Sequence, residues 1–397
     1  MLFQKEHSLW HTMLSAQHKI EGNGGGQMKR WRESIAGSLA LALLCQPVAA
    51  QCLVTGEEFT VGANAAIVME AGSGEVLFAQ NIHETLPIAS TTKIMTALLT
   101  LEQPDLQEEF TVDPAAIRVE GTSMGLLEGD RVTLYALAAG MLLSSGNDAA
   151  GAAAVKIAGS AEDFSALMNR RAAELGMNNT CFITPSGLDA EGHHSTAYDM
   201  ALLARAALQN PMLREIASAR RMTVCYGNPP YARMLLNHNR LLSLYTDAIG
   251  LKTGFTKKAG RCLVSAAERD GVRLICVTLH CPDDWNTHAA LYDRYFSLTK
   301  TVPLTHEELS LPVVGGTADH IIAVQQSTLA AVTATEQKEE ISCRGFCRNF
   351  YYAPISESDI LGKIVYYRGE RAIAESNLVA AAAIEAAAPA RHWWQLR

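Results

Sequence analysis

The sequence predicts an α+β fold: an antiparallel sheet flanked by helices, with a helical subdomain set into it, and a small β domain at the C-terminal end. Three observations lead there. Runs rich in β-branched and apolar residues lie near residues 65–78 and again at 248–281. Between them, from Ser90 to about Asp199, apolar positions recur at helical spacing. After about residue 300 the pattern returns to short β-type runs broken by turns. A sheet assembled from two separated stretches, with the helices inserted between them, fits that order.

The chain has 397 residues, and its 48% hydrophobic content is enough to build a real core. Its length suggests two or three domains. The net charge is −8 and no long Lys/Arg run occurs, so nucleic-acid binding has little electrostatic support.

The N-terminal region reads as a targeting segment. Met28, Lys29, Arg30 and Arg32 form a basic start, residues 35–44 (IAGSLALALL) are apolar but too short to span a bilayer comfortably, and Val48-Ala49-Ala50 is a small-residue cleavage pattern. Residues 28–50 are therefore expected to be a secretory signal. The glycine run at 24–26 is compatible with a translated ribosome-binding site, and on that reading the start is expected at Met28, with residues 1–27 misassigned.

Next comes a hairpin, AAIVME (65–70) and EVLF (75–78) around a Gly-Ser-Gly turn. Helical segments follow at 133–143, 148–158 and 161–175. The stretch 134–158 is nearly apolar enough for a membrane span, but Ser144, Ser145, Asn147 and Asp148 interrupt it and make it a buried helix–turn–helix. Strands are expected at 248–255, 262–268 and 273–281, the last two joined by Arg269-Asp270-Gly271. Residues 301–384 are expected to form the β-rich domain, and 385–397 a tail whose Trp393-Trp394 sits between arginines, which reads either as an interfacial membrane anchor or as an ordinary frayed end. Eight cysteines lie beyond the signal, permitting disulfides in an exported chain. Cys343 and Cys347 read as a bridge, a metal half-site or two buried thiols. No second pair stands at ligand spacing, so no metal or other cofactor is expected.

Three short motifs carry chemistry. Ser90-Thr91-Thr92-Lys93 opens an apolar helical run, so a hydroxyl and an amine share one helix face beside free N–H groups able to stabilise an oxyanion. Ser145-Gly146-Asn147 stands at the turn between two apolar helices, from which polar side chains can enter a cleft. Lys252-Thr253-Gly254 lies on a strand, where the glycine lets another backbone approach and Lys and Thr can hold a carboxylate. Each alone has a plain structural reading: a capping Ser, turn chemistry, a solvent-facing strand end. All three in this order, each on the element the chemistry requires, make the signature set S-x-x-K, S-x-N, K-T-G of serine penicillin-binding proteins and β-lactamases.

The chain also resembles the D-alanyl-D-alanine carboxypeptidases of the low-molecular-mass penicillin-binding protein group, of the sporulation-associated type, from about Phe59 to Ile384. Beyond the motifs, the resemblance rests on LPIA (86–89), VEGTSMGL (119–126), STAYDMA (195–201), NHNRLL (237–242) and YAPI (352–355). It implies a β-lactamase/DD-peptidase-like catalytic domain over 51–300 and acyl transfer from a peptidoglycan stem peptide. Ser90 would be the nucleophile, Lys93 its base and Ser145 a proton relay, with Asn147 positioning the peptide. Lys252 and Thr253 would bind its carboxylate, and the N–H groups of Ser90 and Phe255, after Gly254, would form the oxyanion hole. β-Lactams would be covalent inhibitors, and the protein would work in the cell envelope, at the outer face of the cytoplasmic membrane if the tail serves as an anchor. Some relatives carry His directly after K-T-G, where this chain has Phe255. A β-lactamase is disfavoured because no E-x-x-L-N segment lies between Ser145 and Lys252. A cross-bridge endopeptidase could use the same residues, whereas an inactive wall-binding module would not need them intact.

Overall fold

The computed structural model describes residues 59–334 and 341–388. The expected start, signal and cleavage site lie outside the described residues, as does the tail beyond residue 388. The described chain begins with β1 (Ala65–Glu70), β2 (Val76–Gln80), and a 3-10 turn over Ala89–Thr92 that runs into α1 (Lys93–Leu101). Next come β3 (Phe110–Thr111), β4 (Arg131–Val132), α2 (Leu134–Leu142), α3 (Asn147–Ala158), α4 (Ala161–Glu174), α5 (Ala197–Gln209) and α6 (Pro211–Ser218). Then follow β5 (Arg221–Gly227), β6 (Pro230–Leu236), α7 (Leu241–Leu244), β7 (Ala248–Thr256), β8 (Gly260–Arg269), β9 (Val272–Leu279) and α8 (Asp284–Leu298). The C-terminal strands are β10 (Thr299–Leu304), β11 (Leu309–Val314), β12 (His320–Gln325), β13 (Leu329–Ala334), β14 (Ile341–Cys347), β15 (Tyr351–Tyr352), β16 (Ile360–Arg368) and β17 (Arg371–Ala380).

The main sheet has the antiparallel order β2-β1-β9-β8-β7. Every residue of β1 is buried because the strand lies inside the sheet with helices over both faces, which is why AAIVME lacks polar alternation. One face receives α8 through Leu291, Tyr292, Tyr295 and Phe296, packed on Ala66, Val68, Leu274 and Cys276. On β8 and β9, Ser265 and Thr278 close a buried polar network around His288. Helix α5 packs against β9 and β1, and α6 against β7. The strand carrying Lys252-Thr253-Gly254 is thus an edge strand, with one side unpaired in the sheet.

The expected hairpins and the helix–turn–helix over α2 and α3 are present. One element was not foreseen: a small sheet, β3-β4-β5-β6, on which Tyr226 is buried. In β5, Met222, Val224 and Tyr226 alternate with exposed neighbours, and Asn228-Pro229 turns the chain into β6.

The C-terminal strands form a six-stranded sheet, β14-β16-β17-β12-β11-β15, and a two-stranded one, β10-β13, around a core that includes Leu304, Ile321, Ile364, Tyr366 and Leu378. Arg368 makes a buried ion pair with Glu75, and Arg371 donates to the Ser73 carbonyl at 2.9 Å, tying this β domain to the β1–β2 turn. Of the three readings of Cys343 and Cys347, the bridge is ruled out. Both are free thiols on β14, four residues apart along an extended strand and hence roughly 13 Å from each other, beyond disulfide reach. Nor are both buried: Cys343 is exposed. Among the described residues, no helix is long and apolar enough to cross a membrane.

Candidate active site

Ser90, Ser145, Asn147, Thr253, Gly254 and Phe255 line one cleft of about 480 Å3, together with Gly121, Thr122, Leu188, His238, Arg240, Arg261, Asp284 and Trp285. Lys93 and Lys252 are buried beneath it. Sequence positions 90, 145 and 253 thus converge although they stand on three elements.

Ser90 lies within the 3-10 turn ahead of α1 rather than capping the helix, and Ala89 before it adopts a left-handed φ of 48°. That strained backbone is held from two sides. Gly254 packs so close that an added Cβ would stand 3.0 Å from the Ser90 nitrogen and 3.1 Å from that of Thr91. Gly187 approaches from the other side, where a Cβ would fall 2.0 Å from the Ala89 carbonyl oxygen. Behind the turn, His193 Nδ1 accepts from the Ile183 N–H at 3.0 Å, so its Nε2 carries the proton and donates to Thr92 Oγ1 at 2.9 Å. Burial, with His194 nearby, lowers His193 to about 4, which keeps it neutral in this role.

Lys93 is the centre of the arrangement. Its Nζ lies 2.9 Å from Ser90 Oγ, 2.7 Å from Asn147 Oδ1 and 2.7 Å from the Ser186 carbonyl oxygen. The Asn147 amide is oriented by its own Nδ2, which donates to the Glu120 carbonyl at 2.5 Å, so its oxygen must face the lysine. Burial, reinforced by the charge of Lys252, holds Lys93 well below the usual lysine range, with Asp148 opposing in part. A neutral amine has two N–H groups and one lone pair. Asn147 Oδ1 and the Ser186 carbonyl can only accept, so they take both N–H groups. The lone pair is then left facing the Ser90 hydroxyl, which becomes the donor.

The second motif is set by Asp148. Its buried carboxylate accepts from Ser123 Oγ at 2.6 Å and from the N–H groups of Met124, Gly125 and Leu126 at 2.9, 3.1 and 3.0 Å. This clamps residues 123–126 over the N-terminus of α3, while Asn147 holds the Glu120 carbonyl. Thr122 donates to the Ser145 carbonyl at 2.6 Å, and Ser145 takes a left-handed φ of 59° at the cleft wall. Among the described residues no hydrogen bond joins its hydroxyl to Ser90 or Lys252. Lys252 Nζ donates to the Thr253 carbonyl at 2.8 Å and lies 3.5 Å from Thr253 Oγ1. Burial lowers Lys252 to about 7.

Several site residues were not singled out from the sequence. Ser186 contributes only a carbonyl, and His193 acts from the layer behind. Arg261, Asp284 and Trp285 form one wall of the cleft, Arg261 donating to Asp284 Oδ1 at 2.6 Å. His238, Arg240, Gly121 and Thr122 did stand in segments flagged by resemblance, NHNRLL and VEGTSMGL, without an assigned role.

A family model described as D-alanyl-D-alanine carboxypeptidase matches residues 52–283. The D-alanyl-D-alanine carboxypeptidase DacF of Bacillus subtilis is 31% identical over 330 residues, 80% of this chain and 85% of that protein. A D-alanyl-D-alanine endopeptidase of Pseudomonas aeruginosa is 35% identical over 245 residues, 60% of this chain and 77% of that one. The structure of penicillin binding protein 5 from Haemophilus influenzae superposes with a TM-score of 0.64 at 26% identity, covering 84% of this chain and 99% of the other. By these matches, the chain belongs to the D-alanyl-D-alanine carboxypeptidase family, a family of serine-type peptidases.

Proposed function

We propose that the chain is a serine D-alanyl-D-alanine carboxypeptidase that removes the terminal D-alanine from peptidoglycan stem pentapeptides by way of an acyl-enzyme on Ser90. The observation that carries this reading is the contact of Lys93 Nζ with Ser90 Oγ at 2.9 Å, in a buried setting beside Lys252 that disfavours the charged form of the amine.

In the first half-reaction the Ser90 hydroxyl passes its proton to Lys93 as Oγ bonds to the carbonyl carbon between the two D-alanines. The N–H groups of Ser90 and Phe255 stabilise the resulting oxyanion; Gly254 lets those two backbones approach. The C–N bond then breaks, and the proton from Lys93 reaches the departing amine through Ser145. Lys252, in its charged form, and Thr253 Oγ1 hold the terminal carboxylate. Asn147 holds Lys93 in place and offers its amide to the peptide. Water, deprotonated along the same route, releases the shortened peptide and restores Ser90. A β-lactam acylates Ser90 likewise, but its leaving group stays tethered, so the adduct persists. The work is placed in the cell envelope, reached by the N-terminal signal, with the C-terminal tail as attachment to the outer face of the membrane.

The test is product analysis. Incubation with a pentapeptide ending in D-Ala-D-Ala is expected to release free D-alanine, and Ser90→Ala to release none. Cleavage confined to cross-linked dimers, with no D-alanine from the pentapeptide, would instead identify an endopeptidase, the activity named for the Pseudomonas relative.

A further inference from the structure

The proposed reaction fixes the direction in which a peptide lies in the cleft, and any subsite beyond the scissile bond rests on that reading. With the terminal carboxylate at Lys252 and Thr253 and the scissile carbonyl at the Phe255 N–H, the acyl side of the peptide must continue past Phe255 toward Thr256. Since β7 is the edge of its sheet, an extended peptide can add to it as an antiparallel strand. At about 3.4 Å per residue, the residue before the two D-alanines then falls one step beyond the scissile carbonyl. It meets the wall built by the start of β8 and α8.

That wall has a defined chemistry. Arg261 is the cross-strand partner of Phe255, so the two side chains emerge on the same face. Its Nε and Nη2 donate to Asp284 Oδ1 at 3.1 and 2.6 Å, and its guanidinium carbon lies 5.4 Å from the centre of the Trp285 ring. Asp284 is only 3% exposed, while the Arg261 side chain is 40% exposed. Among the described residues, Nη1 has no hydrogen-bond partner, so a fixed, half-exposed cation lines the cleft with donors to spare. Arg240 adds a second positive charge there. The nearby carboxylates are already engaged: Asp284 with Arg261, Asp283 with Asn286, and Asp189 with Thr256.

We propose that Arg261, oriented by Asp284 and Trp285, recognises a free carboxylate on the side chain of the third residue of the stem peptide. The preferred substrates are pentapeptides in which that side chain ends in an amino-acid group. Those whose side-chain carboxylate is amidated, or that offer only an ammonium, bind less well. A planar guanidinium already pinned by one carboxylate loses little freedom on meeting a second.

The test compares kcat/KM for D-alanine release from three pentapeptides that differ only at the third residue: meso-diaminopimelate, its side-chain carboxamide, and L-lysine. The wild-type protein is expected to favour the free carboxylate over the carboxamide about tenfold, the size of one charge-assisted hydrogen bond at a half-exposed site. Arg261→Gln should reduce that preference to about twofold or less, and Arg261→Lys should leave an intermediate value. A wild-type protein indifferent to amidation, or an Arg261→Gln variant that keeps the tenfold preference, overturns the proposal. Should the glutamine variant not fold, Arg261→Lys decides: a preference equal to wild type overturns it. Acylation by benzylpenicillin, which has no third residue, separates the two levels. Penicillin labelling and D-alanine release without discrimination sink the subsite alone, whereas no release from any of the peptides sinks the underlying reading as well.

Discussion

Replacing Lys93 by methionine separates what the buried amine does for catalysis from what it does for stability. The substitution deletes the contacts of 2.9 Å to Ser90 Oγ, 2.7 Å to Asn147 Oδ1 and 2.7 Å to the Ser186 carbonyl. Two acceptors lose their donor, at about 1–3 kcal/mol each. Against this, the protein no longer buries an amine whose charged form is disfavoured, and it gains an apolar side chain of similar length. The two effects offset, so the net change should stay within about 2 kcal/mol, or roughly 3 °C in Tm for a protein of this size. Acylation has no such compensation. Removal of a positioned base should slow it by about 10^3-fold or more. The assay is stopped-flow acylation by a chromogenic β-lactam at pH 8, paired with a thermal melt. A folded Lys93→Met protein acylated within about tenfold of the wild-type rate would refute the reasoning.

Three further outcomes rest on the same geometry. With Lys252 lowered to about 7 and its ammonium form required for the carboxylate, kcat/KM should fall as pH rises through about 7. Lys252→Arg should be less active but lose that alkaline limb; an unchanged limb would assign it to another group. The stability consequence has the opposite sign: the unfolded lysine holds its proton up to about 10.5, so between about 7 and 10.5 the unfolded chain binds more protons and wild-type stability gains with pH. Melts of Lys252→Met across that window should show a shallower rise, and an identical slope would count against the burial. Gly254→Ala places a methyl 3.0 Å from the Ser90 nitrogen and the Ile88 oxygen, and should slow acylation by about 10^2 by displacing the nucleophile. Wild-type acylation in that variant would mean the turn and strand do not constrain one another.

How much of the site was legible in the sequence depends on the range of each interaction. Ser90 and Lys93 announce themselves because i and i+3 share a helix face, and the β1–β2 and β8–β9 hairpins because their turns are local. Asn147 was recognised in its motif, yet its contact with Lys93 spans 54 residues of chain. His193 reaches Thr92 across 101 residues, and Ser186 contributes a backbone carbonyl that no side-chain pattern marks. The Arg261–Asp284 wall depends on where the start of β8 meets the start of α8, which is a tertiary outcome. The small sheet around β5 and β6 escaped notice because β6 exposes Tyr231, Met234 and Leu236, so apolar residues stand on its solvent side and blur the alternation. Cys343 and Cys347 misled because their spacing suits a turn, and only the pairing of β14 with β16 reveals that they stand on one extended strand.

The most direct measurement is the mass of the Ser90-containing proteolytic peptide after incubation with benzylpenicillin. The account predicts one covalent penicilloyl adduct, located on Ser90 and absent from a Ser90→Ala protein with the same melting temperature. A folded wild-type protein that takes up no adduct, or carries it on another residue, would contradict it.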